Sequence, residues 1–262
     1  PKNKKLFGVE NLILTPHLGA STSEAQENVA IQVAQQISDY LNNEVIVNSI
    51  NVSPISTEEA PKIKPYLDLS LKLGRFGGQI IESTIKKINI TFRGAVSTLN
   101  TKPLISTIVS GIFSNKMESV NLINAEAVAK KKNIEIITSY QSEAVNHEAE
   151  IYINITTTNE EFSYAGTIFA NSSRIISIMN MRVEAEIKPN MLFISNNDKP
   201  GFIGSLGTLL GDKKVNIASF YLGRTGSGEA VALLELDQFL ADDIVLSLTN
   251  LTNVKKAKVL KF

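Results

Sequence analysis

One stretch limits the possible folds of this chain more than any other: Asn190 to Arg224, NMLFISNNDKPGFIGSLGTLLGDKKVNIASFYLGR. Met191-Leu192-Phe193-Ile194 is an apolar run of buried-strand length. Four polar residues, Ser195 to Asp198, lead from it to Pro200-Gly201. Proline is tolerated in the first turn of a helix, where its missing N–H has no partner to lose, and Asp198 just ahead is placed to cap that turn. Phe202, Ile203, Leu206, Leu209 and Leu210 then recur at helical spacing. Gly201, Gly204, Gly207 and Gly211 run through the same segment. Each interior glycine costs a helix about 1 kcal/mol against alanine, so the run predicts a close backbone approach. A second strand, Asn216 to Gly223, completes the unit.

A helix N-terminus offers spare N–H groups and a positive dipole end to a carboxylate. Asp198 and the side-chain oxygens of Asn196 and Asn216 are acceptors suited to an ammonium group. The unit therefore suits capture of a small amino acid. The plainer alternative is that Asp198 only caps its helix and the asparagines only turn the chain.

The following residues extend the pattern. Thr225-Gly226-Ser227-Gly228 is a turn signal before a third apolar strand, Glu229 to Leu236. Asp242 to Leu251 reads as a helix and Val254 to Phe262 as a last strand. The order is β-α-β-β-α-β, a ferredoxin-like unit. With DKPGFIGSLGTLLG and VNIASFYLGR in their places, residues 188–262 resemble an ACT domain, and more narrowly the one that ends the phosphoglycerate dehydrogenases. That resemblance implies L-serine as effector, held by Asn196, Asp198 and Asn216, and self-association through the ACT domain as a dimer or tetramer.

Residues 1–55 carry a second motif. Asn11 to Thr15 reads as a short buried strand with Pro16-His17-Leu18-Gly19-Ala20 as the loop at its end. Ser21 and Glu24 have capping-box spacing, and Ala25, Val29, Val33, Ile37, Tyr40 and Leu41 form the stripe of a long helix. Open α/β sheets place ligand chemistry in loops at strand ends, although a lone histidine before a helix is more often structural. NLILTPHLGASTSEAQENVA resembles the last segment of the nucleotide-binding body of the D-2-hydroxyacid dehydrogenases. By that resemblance His17 is the catalytic acid/base, and His17, Gly19 and Ala20 border the nicotinamide of NAD. Imidazole suits proton exchange near neutral pH. The family's phosphate loop, arginine and histidine-orienting glutamate lie upstream of such a segment, and no G-x-G-x-x-G occurs in these 262 residues. The chain opens at Pro1 without methionine, which reads as a piece of something longer, inactive by itself. Glu44 to Asn48 reads as a closing strand and Asn48 to Pro61 as a linker.

Residues 56–187 read as an α+β domain. Helices are expected at Pro65–Glu82, loosened or kinked by Gly74, Gly77 and Gly78, at Thr101–Phe113 and at Asn121–Lys132. Strands are expected at Ile85–Gly94, Ile134–Ile137, Glu150–Thr156, Phe162–Phe169 and Arg174–Met179. SVNLINAEAVAKKKNIEI and YAGTIFANSSRIISI resemble the intervening domain of the longer phosphoglycerate dehydrogenases, described as an anion- or substrate-analogue-binding regulatory domain. By that resemblance Arg174 is a possible anion contact. The family's Ile-Asn-Gly turn is here Ile178-Met179-Asn180, with Glu184 and Glu186 nearby, a departure that weakens the anion site. His147, in a polar stretch without metal-ligand spacing, reads as a surface residue.

The fold class is thus α/β and α+β: a remnant of a Rossmann-type dehydrogenase body, an intervening domain and a ferredoxin-like ACT domain. Twenty-six basic and 26 acidic residues balance, which gives no reason to expect a nucleic-acid partner. No apolar run approaches a membrane span, and a cytoplasmic protein is the default. With no cysteine, thiolate metal sites and iron–sulfur clusters are excluded, and with the latter an iron–sulfur serine dehydratase; no metal site is expected. Two functional classes remain: the regulatory C-terminal part of an NAD-dependent phosphoglycerate dehydrogenase inhibited by L-serine, or a stand-alone, non-catalytic amino-acid sensor.

Overall fold

The computed structural model describes residues 4–43, 48–49, 55, 58–117, 119–144 and 147–262. Two compact units divide the chain, one of residues 1–49 and 54–60, the other of residues 50–53 and 61–262. The strand expected at Glu44–Asn48 falls largely outside the described residues.

Among the described residues of the first unit the long helix α1 (Ser23–Asn43) follows a segment whose one regular piece is a 3-10 turn at Lys4–Leu6. Its cap is Thr22, not Ser21: the Thr22 hydroxyl accepts from Ala25 N–H at 3.1 Å, and the Thr22 carbonyl accepts from Gln26. The helical stripe has the expected spacing, yet Val29, Val33, Ile37, Tyr40 and Leu41 are all exposed. Asn11 to Thr15, expected as a buried strand, has no regular structure, and Ile13 is 88% exposed. The described residues of this unit include no second strand to pair with it, and an isolated strand leaves its backbone groups to water.

The second unit holds two sheets. The first is built from β1 (Ile85–Gly94), β2 (Glu135–Gln141), β3 (Ala149–Thr157), β4 (Glu161–Phe169), β5 (Ser172–Ile178) and β6 (Met181–Glu186), in the order β2-β1-β3-β4-β5-β6. Only the β1–β2 pair is parallel. Helices α2 (Ala60–Ile80), α3 (Lys102–Ser114) and α4 (Ala125–Lys131) lie between or before these strands. Alternation along β1 buries Ile88, Ile90 and Phe92, and α2 and α3 bury Leu69, Leu73, Phe76, Ile108 and Ile112.

The glycines of α2 do not loosen its packing. A Cβ added at Gly78 would fall on the Ile112 carbonyl, 2.9 Å from its carbon, and one at Gly111 would lie 2.8 Å from the Leu71 oxygen. The two helices cross backbone against backbone, which only glycine permits. β6 escapes the sequence reading although Met181, Val183 and Ala185 alternate with Arg182, Glu184 and Glu186, the period of a half-buried strand.

The second sheet consists of β7 (Asn190–Asn197), α5 (Phe202–Asp212), β8 (Ile217–Arg224), β9 (Glu229–Leu236), α6 (Asp242–Thr249) and β10 (Val254–Lys261). This is the β-α-β-β-α-β order, with strands arranged β10-β7-β9-β8, all antiparallel. Helices α5 and α6 share a core with one face, through Leu192, Ile194, Leu206, Leu210, Leu234 and Leu248. The opposite face is buried too. Phe193 meets Phe76 and Phe162 edge-on at 6.2 and 6.1 Å, and a Cβ on Gly223 would lie 2.9 Å from the Arg182 carbonyl oxygen. Gln79 fastens the edge strand: its amide donates to the Lys261 carbonyl at 3.1 Å and accepts from the Lys261 N–H at 2.8 Å. No helix among the described residues is long and apolar enough to cross a membrane.

Candidate effector site

The loop from β7 to α5 is shaped by backbone first. Asn197 N–H donates to the Asn253 carbonyl and Asp198 N–H to the Gly228 carbonyl, each at 2.8 Å. The chain then turns through Gly201, whose φ of 92° is left-handed and costs a residue with a side chain heavily. Gly201 is the helix N-cap, and no side chain caps α5. The cap expected of Asp198 is therefore absent. Its carboxylate instead accepts from Arg224 Nε at 2.7 Å and lies 2.6 Å from Nη2. Two charge-assisted contacts to one carboxylate oxygen, Oδ2, outweigh a bond to a neutral backbone N–H, so Arg224 takes the carboxylate. Arg224 is the residue sequence reasoning missed here: it lies 26 positions away and no spacing rule links the two.

Asn196, the last residue but one of β7, is 1% exposed. Its amide donates to the Asn197 carbonyl at 2.9 Å, while its side-chain oxygen is buried with no donor. Such an oxygen forfeits about 1–3 kcal/mol of desolvation. Asn216 stands elsewhere. Its amide donates to Asp237 at 2.7 Å, and the next residue, Ile217, pairs with Leu236, whereas Asn196 and Arg224 both pair with Ala230. The run of β8 separates them by roughly 20 Å at the usual rise per residue. A single chain does not bring Asn216 to the 196–201 loop. The glycines of α5 also differ from expectation: Gly204, Gly207 and Gly211 have no atom within 4 Å of an added Cβ, so nothing among the described residues approaches them.

Arg174 lies on β5 with its guanidinium over Phe169, 5.4 Å from the ring centre. Its register partner on β6 is the acidic Glu186. Hydrogen bonds from Lys188 and Ser172, with the charges of Lys188 and Arg174, hold the Glu186 carboxyl below its usual range. The positive charge expected to meet an anion thus faces a carboxylate of its own sheet.

His17, Gly19 and Ala20 share one exposed loop in the first unit. Gly19 has open space around it, so the described residues do not by themselves form a cradle for a dinucleotide. His147 is not the surface residue it seemed: its side chain is 20% exposed, and Nδ1 is 3.2 Å from the buried carboxylate of Glu150. Among the described residues no group of three or more metal-ligating side chains forms.

Residues 62–179 match the family model of the D-3-phosphoglycerate dehydrogenase intervening domain. Similarity to D-3-phosphoglycerate dehydrogenases extends over essentially the whole chain. It is 34% identical to the Synechocystis sp. enzyme over 98% of this chain and 47% of that protein. The Bacillus subtilis enzyme is 31% identical and that of Methanocaldococcus jannaschii 32%, each over 99% of this chain and 50% of the relative. The chain spans about half the length of the curated relatives it matches.

Proposed function

We propose that this chain is the regulatory C-terminal part of an NAD-dependent D-3-phosphoglycerate dehydrogenase, and that residues 188–262 are an ACT domain through which L-serine inhibits the enzyme. The observation that carries this reading is the placement of its polar groups at the two ends of β8. Asn216 precedes the strand, and Arg224 with its partner Asp198 closes it. Antiparallel pairing of two copies along β8, about a two-fold axis near Phe220 and Tyr221, sets Asn216 of one copy beside the Asp198–Arg224 end of the other. Two equivalent seams result, each joining residues that a single chain keeps apart.

The edges of the sheet favour this pairing. β10 carries Lys255, Lys256, Lys258 and Lys261, and Gln79 occupies its end; charged edges resist further pairing. β8 reads Ile217-Ala218-Ser219-Phe220-Tyr221-Leu222-Gly223, without a charge until Arg224. In the seam the α5 N-terminus would receive the serine carboxylate. Asp198 and Asn216 would receive its ammonium and hydroxyl, with the unpaired oxygen of Asn196 close behind. In the same reading His17 exchanges a proton with the hydroxyl or carbonyl oxygen of the dehydrogenase substrate, and this length of chain alone shows no turnover.

Calorimetric titration of the purified chain with L-serine tests the proposal. Saturable heat, lost in Asp198→Ala and in Asn216→Ala while both variants stay folded, is the expected result. A folded, dimeric chain that gives no heat at millimolar serine overturns it, as does full affinity in both variants.

A further inference from the structure

The two ends of the six-stranded sheet differ. β6 at one end is built against the C-terminal sheet, where Gly223 approaches the Arg182 carbonyl. β2 at the other end pairs with β1 alone, in an unbroken parallel register from Lys87–Glu135 to Arg93–Gln141. Among the described residues its outer edge meets no strand. A bare edge is a template for another chain, and edges are ordinarily blunted by lysine, proline, a bulge or short length. The β10 edge is blunted by its lysines. β2 is not. Its seven residues, Glu135-Ile136-Ile137-Thr138-Ser139-Tyr140-Gln141, hold no proline and no bulge against β1. Their one charge, Glu135, is held by Lys87 at 2.9 Å.

The side chains along this edge suit a neighbour. Successive residues of a strand alternate between faces, so Ile136, Thr138 and Tyr140 share one face. Tyr140 stacks on the buried Phe92, with ring centres 5.9 Å apart and 18° between planes, and its hydroxyl lies 3.0 Å from that of Thr101. The ring is fixed, yet Tyr140 remains 54% exposed. An aromatic side chain held in place beforehand loses little rotamer freedom when a partner covers it. Toward the start of the strand an open groove of about 630 Å³ lies between β2 and α4, with Ala127, Ile134 and Ile136 as its apolar lining.

We propose that β2 is a docking edge for a second copy of this chain, the two β2 strands pairing antiparallel about a two-fold axis at Thr138. Opposed side chains of such a pair share a face, so a two-fold axis through the sheet sets each residue against itself or against one an even number of positions away. With Thr138 opposite its own copy, Ile136 faces Tyr140, Ile137 faces Ser139 and Glu135 faces Gln141. Thr–Thr and aliphatic–aromatic pairs are favourable opposites, and no like charges meet. All seven residues are used, whereas a register centred on Ser139 would set Glu135 against Glu143. Tyr140 of each copy comes to the groove beside Ile136 of the other, so one two-fold contact fills two grooves. Lys130, Lys131 and Lys132 at the start of one strand come beside Glu143 just past the end of the other. The edge shares no residue with β8, and it pairs whether or not the C-terminal sheets do.

The chain has no cysteine, so single cysteines report the pairing. Thr138→Cys should give a covalent dimer on mild oxidation, because directly opposed Cβ atoms lie about 4.5–5.5 Å apart, close to the reach of a disulfide. Ser139→Cys stands at a more exposed position but is diagonal to its own counterpart, about 7–8 Å away, and should link more slowly. Random collision would reverse that order. Sedimentation equilibrium of the whole chain reads the same contact without a cysteine. Gln141→Glu sets a like charge against Glu135 at both ends of the pair and should weaken association about 2- to 30-fold, and Gln141→Lys should strengthen it. Within one chain the signs are opposite, since the register partner of Gln141 is Arg93. Pairing along β8 is common to all these variants and cancels from the comparison. The proposal is overturned if Thr138→Cys forms no covalent dimer, if Ser139→Cys links as fast, or if the two Gln141 variants associate like the wild type or in the reverse order.

Discussion

Two alanine substitutions at helical glycines should move stability in opposite directions. At Gly78 the new methyl group meets the backbone of α3 at Ile112, with the carbonyl carbon 2.9 Å away and the Cα at the same distance. Backbone cannot swing aside as a side-chain tip can, so α2 and α3 must separate. Overpacking of a closed core costs about 1–3 kcal/mol, more where nothing yields, against a gain of about 1 kcal/mol in helix propensity. The net is a loss of about 2 kcal/mol, or roughly 4–8 °C of midpoint at 2–4 °C per kcal/mol for a unit of this size. At Gly207 there is no atom within 4 Å of the new methyl group, and the propensity gain stands alone, raising the midpoint by about 2–4 °C. Thermal and urea unfolding of Gly78→Ala and Gly207→Ala, followed by circular dichroism on the whole chain, compares them directly. A Gly78→Ala variant as stable as the wild type would refute the backbone contact, and a Gly207→Ala variant of lower stability would refute the open face of α5.

Gln79→Ala removes both bonds to Lys261, and amide exchange at Lys261 should quicken by about one to two orders of magnitude at the usual worth of a hydrogen bond; unchanged protection would show that Gln79 does not hold the edge. The Glu82 carboxyl is held below its usual value of 4.5, first by the hydrogen bond from Lys258. A depressed folded value means stability that is present above 4.5 and lost as the pH falls through the folded value. Lys258→Met should therefore raise the Glu82 titration midpoint by NMR and move acid unfolding to higher pH, and an unmoved Glu82 would discard that link. Thr22→Ala should cost α1 about 0.5–2 kcal/mol as a lost cap, seen as reduced helicity, whereas Ser21→Ala should cost almost nothing.

Where the sequence is periodic, it announces its structure. Ile85–Gly94 and Glu229–Leu236 read as strands at the bounds they adopt, because apolar runs of strand length end at turn residues. The β-α-β-β-α-β order follows from the same signals. What sequence does not carry is which glycine meets a neighbour. Those of α2, expected to loosen it, form its tightest contact, while those of α5, expected to mark close approach, face open space. Nor does spacing reveal partners distant along the chain. Asp198 before a helix looks like a cap until Arg224 arrives from β8, and His147 in a polar run looks exposed until β3 places Glu150 beneath it. Asn216 and Asp198 sit on one motif in sequence yet at opposite ends of one sheet, which turns a pocket within a chain into a question about two chains.

Mixing two defective chains answers that question most directly. Asp198→Ala and Asn216→Ala are each expected to lose serine binding, because each breaks both seams of a symmetric dimer. When the two variants are combined and allowed to exchange, a mixed dimer has one seam built from the intact Asp198 of one copy and the intact Asn216 of the other. Calorimetry should then recover roughly a quarter of the wild-type number of sites at wild-type affinity, the share set by random pairing of two-fold dimers. No recovery after exchange would contradict the shared seam and place any serine site within a single chain.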